Sequence, residues 1–200
     1  MSLTVKELVE VAHRLGAYGY FPATSGNLSI REPGDTLRMR VSVSGIDKAR
    51  LSEADLLFVD ENLMPYEKDA RKPSAEAIVH VHLYQQSDAM CILHVHTLSN
   101  NLIAQRYEAR GSVPLFGNEL LKALGHWEDD ARIEVPMVEN YSDLNKLATA
   151  VAAAYNPEVP GVIVKQHGIY VVGRSVAETL RHLEAFEFLF ALALKRDVHS

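Results

Sequence analysis

Two histidines separated by one residue, His94 and His96, stand in the apolar run CILHVHTLSN. A polar ring buried without a partner is costly, so a pair of them in such a run needs a reason. The run is short, apolar and bounded by polar residues, which predicts a strand. On a strand, residues i and i+2 point to the same face, about 6–7 Å apart at Cα. Two imidazoles so placed can converge on a metal ion, perform acid/base chemistry, or pack in a core. His80 and His82 share the spacing but fall in a predicted helix, where i and i+2 diverge; packing or hydrogen bonding accounts for them. A third ligand must come from elsewhere. His167 is the best candidate, because it breaks two very apolar segments, GVIVK and GIYVVG, beside a glycine. Three histidines with a fourth position open make a catalytic metal arrangement rather than a closed structural one. Imidazole-only ligation suits zinc first.

Two carboxylates could serve such a site. Glu76 lies in the first turn of a predicted helix, where it either complements the helix dipole or is aimed at the metal. Glu119 opens another short helical segment, GNELLKALG, with the same two readings, the functional one being a general acid/base. Three small turns could hold an anion through hydroxyls, amides and exposed backbone N–H groups. They are TSGN with Ser25, Gly26 and Asn27, SGI with Ser44 and Gly45, and KPS with Ser74. Each alone reads as an ordinary turn; three together in an acidic chain lean toward a phosphate pocket.

The elements that must position these groups are a mixture of helices and strands. Thr4 and Glu7 form a capping-box pattern ahead of a first helix that Gly16 and Gly19 end. LRMRVSV alternates, putting Leu37, Met39, Val41 and Val43 on one side of a half-buried strand. Ser74 is the expected N-cap of the helix AEAIVHVHLYQQS, and Ser142 that of a helix running to about Tyr155. Pro136 pushes the strand RIEVPMV toward a sheet edge or bulge. Ser175 and Glu178 form a second capping-box pattern before a final helix. Strands and helices do not alternate strictly, and no G-x-G-x-x-G follows a strand. The expectation is an α/β sandwich around a mainly antiparallel sheet, not a dinucleotide-binding fold.

Composition sets the outer limits. A chain of 200 residues with 48% hydrophobic content suits one substantial domain, residues 1–200. The formal net charge of −6 argues against nucleic acid or an anionic membrane as partner. The lone cysteine, Cys91, reads as a small buried hydrophobe. The N-terminus lacks a signal-peptide pattern and no apolar run reaches membrane-spanning length, so the cytoplasm is the expected location.

The stretches PATSGNLSIR, SVSGID, KPSAEAIVHVHLY, ILHVHT and QHGIYVVG occur in an order and spacing that resembles the class II aldolase/adducin family across nearly the whole chain. GNELLKALG and EVPMVENYSDLNKLA resemble its dehydratase branch. The resemblance implies a three-layer α/β/α sandwich and one Zn2+ per subunit on His94, His96 and His167. It implies Glu119 as catalytic acid/base, with Glu76 secondary, and substrate phosphate on Ser25–Asn27, Ser44–Gly45 and Ser74. The implied activity is metal-dependent dehydration of a small phosphorylated ketose by a homo-oligomer, commonly a tetramer with sites near subunit interfaces. Family aldolases often carry two serines before the carboxylate equivalent to Glu76. Here the second is Ala75, which weakens the aldolase-type phosphate grip. The rivals are a sugar-phosphate aldolase or epimerase and a non-catalytic adducin-like scaffold.

Overall fold

A computed structural model describes residues 3–196. Its frame is an eight-stranded sheet with helices on both faces. The strands are β1 (Asn27–Glu32), β2 (Arg38–Ser42), β3 (Leu56–Asp60), β4 (Cys91–Val95), β5 (Ser112–Phe116), β6 (Arg132–Val138), β7 (Gly161–Val164) and β8 (Gly168–Gly173). They lie in the order β3-β2-β1-β4-β8-β7-β6-β5, and only β6 and β7 pair in parallel. The mainly antiparallel sheet matches the expectation.

The helices are α1 (Leu3–Ala17), α2 (Ala77–Gln86), α3 (Leu98–Arg106), α4 (Leu144–Ala154) and α5 (Val176–Arg196). Strand alternation decides which layer each side chain meets. Cys91, Leu93 and Val95 join one core with Leu8 and Leu15 of α1, Ile103 of α3 and Phe186 and Phe190 of α5. Ile92, Tyr170 and Val172 join the other core, with Val79 and Leu83 of α2 and Leu147 and Val151 of α4. Two cores on opposite faces make the three layers. Leu37, Met39, Val41 and Val43 are all buried, as their alternation requires, and so is Cys91.

Several local expectations need correction. Helix α2 starts at Ala77 with Glu76 at its N-cap, not Ser74. Ser74 is instead drawn into the sheet margin, its N–H donating to the Ser42 carbonyl at 3.0 Å. Asp143, not Ser142, caps α4, because its carboxylate accepts from the N–H groups of both Asn145 and Lys146. Helix α1 already includes Leu3, so Thr4 lies within it. At α5, Ser175 accepts from the Glu178 N–H at 3.1 Å, but the Glu178 carboxylate reaches back to the Arg174 N–H instead. Pro136 is not at a sheet edge: β6 lies inside β5, and its pairing with β7 starts only at Met137. The edge strand is β5, which carries its own proline, Pro114.

One buried carboxyl group ties the helical layer to the end of β4. Glu187 of α5 is 5% exposed and accepts from Thr97 Oγ1 at 2.6 Å and Asn100 Nδ2 at 3.1 Å. Burial raises its pKa from 4.5 to about 7, against the pull of those two donors. The folded chain then binds a proton more tightly than the unfolded chain. Stability is highest below about pH 4.5 as far as this group is concerned, and is lost as pH rises to about 7. Glu187→Gln is expected to remove that slope. Melting temperatures across this pH range check it, and parallel profiles for the two proteins would count against it.

Candidate metal centre and anion loops

Strand direction gathers the candidate residues at one end of the sheet. β4, β6 and β7 run in the same direction, and their C-terminal ends lead to His96, to Asn140 and to His167. The antiparallel β1 begins there with Asn27, and β2 ends there before Ser44. His94 and Tyr170 share the face that looks toward α2, whose N-cap is Glu76.

Three imidazoles and one carboxylate meet at this end. His94 Nε2 lies 2.9 Å from His96 Nε2 and 3.3 Å from His167 Nε2. Glu76 places Oε2 at 3.2 Å from His94 Nε2 and Oε1 at 3.1 Å from His167 Nε2. One ligand atom from each of the four lies within 4.8 Å of the others. Ligands about 2.0–2.1 Å from a tetrahedral ion are separated by roughly 3.4 Å, so the spacing fits a small divalent cation. The second layer fits too. His94 Nδ1 meets the Ile169 carbonyl at 3.0 Å and His167 Nδ1 meets Asn140 Oδ1 at 3.3 Å, which leaves each Nε2 for the metal.

The electrostatics match what metal ligation requires. Burial lowers the pKa of His94, and burial with the charges of His94 and His167 takes His96 to about 3. Burial alone would raise Glu76, but hydrogen bonds from His167 and His94 outweigh it and hold the carboxyl below the ordinary range. His94 and His96 are thereby favoured as neutral imidazoles beside a carboxylate, the protonation states that bind metal. Tyr170 supports the cluster from below. Its ring stacks on His94 at 3.9 Å with an interplanar angle of 9°, and its hydroxyl donates to Glu76 Oε2 at 3.3 Å. Asn27 Nδ2 donates to the same oxygen at 3.0 Å. His80 remains a packing residue, bonded through Nδ1 to Ser29 Oγ at 2.7 Å.

Gly168 is required where the ligands crowd together. A Cβ there would lie 2.3 Å from the Val95 carbonyl oxygen, 2.9 Å from His96 and 3.0 Å from His94. Gly168→Ala is expected to push the imidazoles apart and weaken metal binding about 10–100-fold, the scale of lost ligand support. Metal titration of the apoprotein measures this; unchanged affinity would show that the ring positions tolerate the methyl.

The three candidate anion turns are neighbours beside the cluster. Ser44 N–H donates to the Lys72 carbonyl at 2.9 Å, and a bridge joins Val43 to Pro73, which brings the SGI and KPS turns together. The Lys48 ammonium donates to the Thr24 carbonyl at 2.5 Å, joining the TSGN turn to the same group. That turn is left-handed at Ala23, Thr24 and Gly26, with φ of 52°, 61° and 71°. At Gly26 a Cβ would meet the His94 carbonyl oxygen and the Phe21 ring at 2.6 Å. Two buried polar atoms in this loop, Ser25 Oγ and Asn27 Oδ1, lack a hydrogen-bond partner within the chain. A cleft of about 660 Å³ lined by His96, His167, Asn101, Asn140 and Gln166 opens the cluster to solvent.

Glu119 stands elsewhere. Its side chain is 79% exposed and pairs with Lys122 at 2.9 Å. It follows the C-terminal end of β5, which runs opposite to β6, so it lies at the other end of the sheet from the histidines. Four strand steps separate β5 from β4. At about 4.8 Å per step, Glu119 and the cluster of its own chain are on the order of 20 Å apart. Lys48 and Tyr170 escaped the sequence reading. Lys48 had a usable signal, a lysine directly after SGID in a run otherwise read as an anion turn.

This sheet, with three histidines and a carboxylate converging at one end beside the TSGN turn, defines an α/β/α domain with a candidate metal centre. The chain belongs to the family described as the class II aldolase and adducin N-terminal domain, which matches residues 6–194. It is 46% identical to the methylthioribulose-1-phosphate dehydratase of Persephonella marina, covering 93% of this chain and 86% of that one. It is 42% identical to the protein of the same name from Bacillus subtilis, covering 95% and 91%. The L-fuculose-1-phosphate aldolase of Thermus thermophilus shares the fold, with a TM-score of 0.78 at 23% identity over 96% and 94% of the two chains. Among the described residues, no helix is long and apolar enough to cross a membrane.

Proposed function

We propose that this protein is a zinc-dependent hydro-lyase of methionine salvage. It converts 5-methylthioribulose 1-phosphate to 2,3-diketo-5-methylthiopentyl 1-phosphate. The observation that carries the reading is the convergence of His94, His96, His167 and Glu76 in a chain so similar to dehydratases of that name. Residues 1–200 act as one catalytic domain in the cytoplasm.

His94, His96 and His167 would hold the zinc ion, which when bound would supply Lewis-acid polarisation of the C2 carbonyl and so make the C3 proton more acidic. Glu76, the one carboxylate in the cluster, takes the C3 proton. Asn27 and Tyr170 hold its Oε2 in place for that transfer. Ser25, Gly26, Asn27, Ser44, Gly45 and Ser74 bind the C1 phosphate, one carbon from the carbonyl, which accords with anion loops placed beside the histidines. Departure of the C4 hydroxyl as water needs a proton donor, and that role belongs to Glu119. Because Glu119 lies far from its own cluster, it serves the cluster of a neighbouring subunit, so the active form is a homo-oligomer, a tetramer by family resemblance. The resulting enol loses its O–H proton and gains one at C4 to give the diketone.

The test is a product assay with purified protein and methylthioribulose 1-phosphate. Diketone formation that chelation abolishes and zinc restores is the expected outcome. An aldehyde formed without diketone would make the enzyme an aldolase, and no conversion with metal bound would sink the reading.

A further inference from the structure

We propose that Lys48 is the cation that binds the phosphate group of the substrate, its ammonium completing the anion loop formed by Thr24–Asn27 and Ser44–Gly45. The inference rests on the phosphorylated-substrate reading above and extends it to a residue outside the phosphate turns.

Lys48 is 2% exposed, and among the described residues it is the one lysine or arginine that is buried. A buried ammonium is normally paired with a carboxylate, because the cost of dehydrating a lone charge is several kcal/mol. Lys48 has no such pair. Its one hydrogen bond runs to the Thr24 carbonyl, which leaves two ammonium protons for another acceptor. Nearby carboxylates, Glu76 first and then Asp47, favour its charge at longer range, against a burial penalty that lowers its pKa. Its charge is also felt at His96.

The surroundings point to an anion. Ser25 Oγ, one residue past Thr24, is buried without a partner and can donate to an anion. The backbone is left-handed at Ala23, Thr24 and Gly26 on one side and at Gly45, φ 74°, on the other, so both turns bend sharply beside the ammonium. A phosphate dianion there would receive the hydroxyl and the ammonium together. In a protein of net charge −6, one cation fixed at the loop supplies attraction that the overall field does not.

Lys48→Gln keeps a donor for the Thr24 carbonyl and removes the charge; Lys48→Met removes both; Lys48→Arg restores a cation. Each is compared with the full-length, zinc-loaded wild type. Loss of a charge-assisted hydrogen bond is expected to raise KM and weaken competitive inhibition by inorganic phosphate about 10–100-fold in the Gln and Met variants. Their kcat should stay within about threefold, metal content should be unchanged, and the Arg variant should recover phosphate affinity. Thermal stabilisation by inorganic phosphate should fall in parallel. That measurement needs no turnover, so it judges Lys48 even if the dehydratase reading fails. Unchanged phosphate affinity in Lys48→Gln would overturn the proposal. So would an equal loss in all three variants, which would assign Lys48 to loop packing.

Discussion

His96→Ala is expected to leave a folded chain that binds almost no zinc and has lost more than about 10³-fold in kcat/KM. His96 is the ligand best suited to this test. It lines the open cleft, whereas His94 is fully buried against Tyr170 and its loss would also leave a core cavity. Removing a single oxyanion donor from an enzyme costs about 10²–10³-fold. Loss of the whole electrophilic centre must exceed that. Metal content per chain, circular dichroism and initial rates together decide the matter. A variant that keeps both its metal and its activity would remove His96 from the ligand set, and a variant that unfolds would make the site structural.

The second large effect is expected at Glu119. Glu119→Gln should lower kcat about 10²–10⁴-fold, the usual weight of a general acid, with KM and metal content little changed. Within its own chain Glu119 loses only a surface contact to Lys122, so the secondary structure of the variant should be unchanged by circular dichroism. The topology adds a sharper form of the test. If Glu119 serves a neighbouring subunit, mixing unfolded His96→Ala and Glu119→Gln chains and refolding them together should restore activity that neither has alone. Hybrid assemblies that form yet stay inactive would show that the carboxylate acts within its own chain or not at all.

How legible all this was depended on whether local pattern or distant packing fixed each residue. His94 and His96 were readable because a strand's period of two forces them to one side. His167 was readable because a polar residue beside a glycine has few other reasons to interrupt GVIVK and GIYVVG. Glu76 was legible only as a choice between two roles, since a carboxylate at a helix start serves both. The helix α3 and strand β5 went unread. LSNNLIAQR has little amphipathic pattern, and its capping box uses Thr97 and Asn100 in place of the usual glutamate or glutamine. SVPLF is short and interrupted by Pro114. Tyr170 could not be found from sequence at all, because its meaning comes from register: β4 and β8 pair His94 directly with Tyr170. The capping errors at Ser74 and Ser142 have one cause. A helix start takes whichever carboxylate or hydroxyl the preceding backbone presents, and at Ser74 the sheet took the backbone first.

The wide spacing of the ligands along the chain has a thermodynamic consequence. Glu76 and the pair His94–His96 come from one part of the chain, and His167 comes from the turn between β7 and β8. A bound ion therefore acts as a cross-link that closes a loop of some seventy residues, and such closure restricts the unfolded chain by a few kcal/mol. Chelation should accordingly do more than silence the enzyme. It should speed amide hydrogen exchange along β4 and β8, where the two halves of the chain are held face to face, while leaving the β2–β3 margin almost unaffected.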